Sequence, residues 1–220
     1  MNDLVTAPED PRVWQLLDPD ATARLRGLQA EVEADPRRIG ALFPGAARTV
    51  ARGPLDRDDP AGLLGPTVDD LVRRTLLLAL ARATAPDHDR LASEVAALYR
   101  YGDTEEKRAV LRSLHLLPVG AEAVPLLRDA LRTNDLRLVA AALGPYATEH
   151  LDDAAWRHGV LKCLFVGVPL AAVDGLQRRA DAELGRMVAS FVEERRAAGR
   201  STPPDAWRVL DRPTPEPEEA

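Results

Sequence analysis

The sequence predicts an all-α fold of stacked antiparallel helical hairpins, resembling a HEAT-like α-α superhelix, and three observations carry that expectation. Alanine, leucine and valine dominate the apolar residues while aromatics make up only 4% of the 220 residues. That balance suits close-packed helices better than sheets, which favour β-branched and aromatic side chains. Apolar residues recur at helical spacing beyond residue 67, with hydroxyl or carboxylate caps ahead of the runs. Two helix–turn–helix layouts follow each other about 30 residues apart, as in helical repeats.

The elements follow in order. Asp18-Pro19 and Asp35-Pro36 each place a capping carboxylate before a proline suited to the first helical position, which marks two short helix starts in an otherwise irregular N-terminal third. Residues 52–66 concentrate glycine, proline and aspartate and predict a long loop. A boundary near residue 66 then separates an N-terminal segment, residues 1–66, from a main helical domain over 67–210. Thr67 and Asp70 form a capping arrangement for a helix through Leu76-Leu77-Leu78-Ala79-Leu80, an apolar run broad enough to be buried on most sides.

Asp103 and Glu106 repeat the capping pattern, so Tyr101-Gly102 is the turn between a helix over 87–101 and one over 104–117. Residues 122–127 lead through Arg132-Thr133-Asn134-Asp135 into Leu136, the second hairpin. A largely apolar helix over 153–166 is expected to cross the core. Asp181 caps a long amphipathic helix carrying Leu184, Met187, Val188, Phe191 and Val192, ending near Gly199, and Pro203-Pro204 opens a last short helix. Residues 211–220 are proline- and acid-rich and predict a disordered tail.

The formal net charge is −6, which argues against non-specific nucleic-acid binding because that relies on a broad basic surface. Lys107 and Lys162 are the only lysines among the 29 lysines and arginines. Cys163, the single cysteine, lies in an apolar run and reads as a buried structural thiol, which excludes an intrachain disulfide. The first ten residues lack a basic start and a long apolar stretch, and no later segment approaches the ~20 apolar residues of a membrane span. A cytoplasmic location without a transmembrane segment is expected.

Chemistry-bearing motifs are sparse. No HExxH, paired CxxC, GxGxxG, P-loop or GxSxG is present, so neither a metal nor another cofactor is expected. Asp87-His88-Asp89 and Asp152-Asp153 read as helix caps. Arg108, Arg112 and His115 share one helical flank, either gripping an anion or forming a solvated face balanced by Glu105 and Glu106. Lys107 aligns with the stripe of Val110, Leu111, Leu114 and Leu117, to be paired there or to snorkel outward. His158 and Lys162 share a narrow polar stripe on the helix expected to be buried, where desolvation would lower the lysine pKa. Tyr99, Tyr101, Tyr146 and Trp156 form either an aromatic wall for a ring or prenyl chain, or packing between helices.

The ordered motifs Tyr99-Arg100-Tyr101-Gly102-Asp103, Glu106-Lys107-Arg108-Ala109-Val110-Leu111-Arg112, Pro145-Tyr146-Ala147, His150, Trp156 and Val160-Leu161-Lys162 resemble the EboA family. Gly175-Leu176-Gln177-Arg178-Arg179-Ala180, Glu183-Leu184 and residues 194–200 continue the match, which spans roughly 70–210. Gly144 and Asp181 stand where the family pattern has asparagine. The resemblance implies a cluster that also encodes a TatD-like metal hydrolase, a UbiA-type prenyltransferase, a dehydroquinate synthase-like cyclase and a sugar-phosphate isomerase. Such a cluster makes or exports a prenylated cyclitol-like metabolite.

The expected function is therefore a non-enzymatic accessory or scaffold that binds pathway proteins, such as the hydrolase or prenyltransferase, around Arg100, Tyr101, Lys107, Tyr146, His150 and Lys162. The alternative is a binder of, or enzyme acting on, an anionic sugar-like or cyclitol intermediate. In that case Lys162 and His158 are the acid–base groups, and Arg108, Arg178 or Arg179 the anion clamps.

Overall fold

The computed structural model describes residues 8–211, which are all-α, with no strand among them. Nearly all of the expected disordered tail, and most of the first ten residues read above, fall on residues outside this range.

Asp10, Asp18 and Asp35 each accept a backbone N–H at the start of a helical turn whose next residue is proline. They open α1 (Pro11–Leu16), α2 (Pro19–Ala34) and, after one 3-10 turn, α3 (Ile39–Thr49). Two of these starts were legible, but α2 is not brief: it runs for 16 residues because Ala21, Leu25 and Val32 bury one face against the next long helix.

That helix, α4 (Val68–Thr84), begins with the complete capping box of Thr67 and Asp70 and is buried on nearly every side. α2 and α3 pack on one side of it and α6 (Thr104–Ser113) on the other. Between them in sequence, α5 (His88–Tyr101) touches both α4 and α6. Asp103 caps α6 through the Glu106 N–H, and the Glu106 carboxylate answers toward the Asp103 N–H, as the D-x-x-E pattern predicts. The Glu106 side chain is buried against the Gly102 turn.

The row continues from α6 to α8 (Leu136–Ala142), then to α10 (Asp153–Val166). α7 (Val124–Arg132) bridges α8 and α10, and α9 (Pro145–His150) packs on α7. α10 buries one face only, through Trp156, Val160, Cys163 and Leu164, while His158 is exposed and Phe165 is 67% exposed. Apolar residues on its outer side made a one-faced helix read as one that crosses the core. The Cys163 thiol is fully buried, which pushes its pKa up to about 12. The chain ends in α11 (Leu176–Arg179), α12 (Ala182–Ala197), which packs on α10, and α13 (Trp207–Leu210), which packs on α12.

Candidate functional site

Asp70 and Arg74 of α4 anchor the arrangement, because a charge in a helix buried on nearly every side is costly unless it is paired. Asp70, fully buried, accepts the Thr67 N–H at 2.9 Å and the Arg108 Nε at 3.0 and 3.1 Å. Arg108 also donates to the Thr67 hydroxyl at 2.7 Å and pairs with Glu105 at 2.7 Å, and Glu105 in turn holds Arg137 of α8. With only 3% of its surface exposed, Arg108 does not lie on a solvated face. It ties the start of α4 to α6.

One turn on, Arg112 faces a different surface. Its terminal nitrogen donates to the carbonyls of Gly62 and Leu63, fixing the loop expected over 52–66. Asp59 completes that loop by accepting the N–H groups of Leu63, Leu64 and Gly65 at 2.7–3.0 Å. Arg74, from the neighbouring turn of α4, donates to the Arg112 carbonyl at 3.3 Å and to Asp10 at 3.5 Å. Asp10 also pairs with Arg12 at 2.6 Å.

The Nε atoms of Arg74 and Arg112 are buried without a hydrogen-bond partner, although Asp70 lies 3.9 Å from the second. Desolvation works against the charge on both guanidiniums and lowers their pKa, so an anion reaching them would gain more than one at an open surface.

Arg12, Arg74, Arg112 and His115 line a recess of about 180 Å³, closed by residues 64–66, Ala141 and Gly144-Pro145. Leu64, Arg112, Gly144 and Pro145 also line the adjoining groove of about 460 Å³, whose far wall is the 170–178 segment with Arg178, and Arg208 of α13. That wall is held in place from behind. The Asp174 N–H donates to the Leu143 carbonyl at 2.9 Å, Thr148 donates to the Asp174 carbonyl at 2.9 Å, and Asp205 accepts the Leu170 N–H at 2.6 Å. Gly175, at φ +71°, lies so close to Thr148 that a Cβ there would meet its methyl at 2.4 Å. His115 sits at the open mouth, its imidazole pKa lowered first by lost solvent on its inner side and then by Arg74.

The other residues singled out by sequence disperse. Tyr146 is buried, donating its hydroxyl to Gly120 and accepting from the Ala123 N–H, and His150 stacks on it with ring centroids 4.3 Å apart. Trp156 is fully buried beneath the Arg179 guanidinium, 5.0 Å from its ring centroid. Arg179 caps the C-terminus of α9 through the carbonyls of Ala147, Thr148 and Leu151 and also binds Asp153, so its guanidinium holds a helix end. Tyr99 is buried and donates to Asp129 at 2.9 Å, and Lys107 places its ammonium 5.2 Å from the Tyr99 ring centroid. Arg100 and Tyr101 stand exposed at the α5–α6 turn.

His158 and Lys162 share a third face. His158 is exposed against the Ala154 carbonyl, and the Lys162 ammonium reaches outward to Asn134 at 2.6 Å. The desolvated lysine expected from a core-crossing helix is not present, because that stripe faces out. Among the described residues no three histidine, cysteine or acidic side chains cluster in a way that would hold a metal ion. Asp87 and Asp152 cap α5 and α10.

The structure thus brings Arg112 and Arg178 to one groove and joins to them Arg12, Arg74 and Arg208, which sequence reasoning passed over. One signal for Arg74 was available: Arg73-Arg74 interrupts the helix predicted to be the most buried.

In structural terms the class is an all-α protein in which Arg12, Arg74, Arg112, Arg178 and Arg208 line one recess and its adjoining groove, while Arg128 and Arg132 line another recess with His158 and Lys162. A family model described as metabolite traffic protein EboA matches residues 65–211, and the chain belongs to that family. Neither a curated protein nor a solved structure matches it. No helix among the described residues is long and apolar enough to cross a membrane.

Proposed function

We propose that this protein serves metabolite traffic by binding an anionic metabolite non-covalently in the arginine groove, as an accessory without bond chemistry of its own. The observation that carries this reading is the convergence of Arg12, Arg74, Arg112 and His115 on one recess that no carboxylate lines. Charge-assisted hydrogen bonds to an anion are the interaction such guanidiniums offer. The cargo of a pathway that makes or exports a prenylated cyclitol-like metabolite fits this role when it is held at an anionic stage.

Scaffolding is a second reading, and the Tyr101 ring favours it. At 82% exposed on the α5–α6 turn, next to Arg100, it offers a docking point for pathway proteins such as a TatD-like hydrolase or a UbiA-type prenyltransferase. Tyr146, His150 and Lys162 do not share that turn, so the docking surface is smaller than the one expected from sequence.

Titration calorimetry of the full chain at low salt against a panel of small anions tests the binding reading. Saturable one-to-one binding, weakened about tenfold or more in an Arg178→Gln, Arg208→Gln double variant, is the expected outcome for loss of charge-assisted contacts. Absence of saturable binding by any anion, together with pathway-enzyme capture that Tyr101→Ala abolishes, would replace it with the scaffold reading.

A further inference from the structure

The recess and the groove differ in what they offer a ligand. Arg12, Arg74, Arg112 and His115 line the recess and no carboxylate does so. The acids that bear on it are Asp10, held by Arg12 and Arg74, Asp70, held by Arg108 and acting also on Arg74 and Arg112, and Asp59, acting on Arg112, with Glu149 and Asp174 acting on His115 from farther off. Three guanidiniums, two of which share Asp10, and a titratable imidazole still exceed what one carboxylate needs and match a group carrying close to two negative charges and three acceptor oxygens.

The groove beside it carries Arg112, Arg178 and Arg208, and Asp174 as its only acid. Unlike the recess it thus offers a carboxylate, which accepts hydroxyl hydrogen bonds. Phenylalanine, tyrosine and tryptophan are absent from the lining of both parts, so nothing is placed to stack on a nucleobase.

Building on the anion-binding reading, we infer that the ligand is a phosphomonoester with a small hydroxylated body, its phosphoryl group in the recess on Arg74, Arg112 and His115 and its hydroxyls along the groove against Asp174. His115, at the mouth, takes a proton as the phosphoryl group arrives, and Arg12 closes the outer side.

Calorimetry and phosphorus NMR on the full chain at pH 7 decide the matter, with inorganic phosphate, glycerol 3-phosphate and malonate as probes. Glycerol 3-phosphate is expected to bind at least about tenfold more tightly than inorganic phosphate, and malonate about tenfold more weakly than either, one tenfold step being the scale of a single charge-assisted hydrogen bond. His115→Gln should weaken both phosphates about tenfold by removing one such bond. Asp174→Asn, whose backbone bonds remain, should abolish the preference for glycerol 3-phosphate and leave phosphate affinity intact.

Both variants alter side chains open to solvent, and an unfolding midpoint unchanged without ligand verifies their folds. Malonate binding as tightly as the phosphates, or an Asp174→Asn variant that keeps the preference, would overturn the phosphomonoester assignment while the anion-binding reading stands. Saturation by none of the three probes would overturn the assignment, and failure of the wider anion panel as well would remove the binding reading beneath it.

Discussion

Arg108 and Lys162 show how far a charged residue's meaning depends on what the fold puts opposite it. Both lie on amphipathic helices, yet Arg108 is sealed between α4 and α6 against Asp70 while Lys162 reaches outward to Asn134. Removing one partner of a buried pair strands the other charge in low dielectric. Arg108→Ala should therefore destabilise the chain by about 3–5 kcal/mol. Lys162→Ala, which leaves no buried charge behind, should change stability by no more than about 0.5 kcal/mol. Urea unfolding of the two variants beside the parent chain measures both. Equal costs would mean that the Asp70 network does not hold α4 to α6. The sequence marked both residues as notable but could not rank them, since helical spacing is blind to the carboxylate that a distant helix supplies.

At the scale of elements, the helix starts were the most legible feature, because a cap and the N–H it satisfies lie within a few residues of each other. Thr67, Asp103, Asp152 and Asp181 were all read as caps, and all accept the expected backbone N–H. The groove was illegible for the opposite reason: its walls come from residues 64–66, 112–115, 144–145, 170–178 and 208, brought together only by tertiary packing. Asp135 joins the two kinds of information, capping α8 and pairing with Arg137, which reaches across to Glu105 of α6.

The Arg137 hydrogen bonds, ahead of all other causes, hold the Asp135 carboxyl below its ordinary pKa. A folded value below the unfolded one means that the ionised form stabilises the fold. That contribution is complete above the unfolded value of about 3.9 and fades as pH falls through the lower folded value. Asp135→Asn keeps a capping oxygen and loses the charge, so the parent chain should exceed it by about 0.5–1 kcal/mol at pH 7, the scale of a partly exposed pair. Urea midpoints at pH 7 and pH 3 should show that gap shrinking at the lower pH. A gap unchanged between the two would assign the effect to the cap alone.

For the whole molecule, the matched family region begins at residue 65, but the core begins earlier. Val13, Leu25, Val32, Ile39 and Phe43 are each 0–1% exposed and join the same hydrophobic cluster as Leu71, Leu76 and Leu80 of α4. Full burial of such side chains contributes about 1.5–3 kcal/mol each, so these five together approach about 10 kcal/mol, comparable with the 5–15 kcal/mol net stability of a typical domain. A chain shortened to residues 65–211 would present the flank of α4 to water, would lose Arg12 from the recess and would leave Arg74 without Asp10. Its helices, capped locally, should persist, while specific packing should not. The expected outcome is retained far-UV circular dichroism with a broad thermal transition, dye binding to exposed apolar surface and self-association on a sizing column. A monodisperse fragment with a sharp transition near that of the full chain would show that α4 needs no cover from α2 and α3. The N-terminal helices would then act on the groove through Arg12 alone.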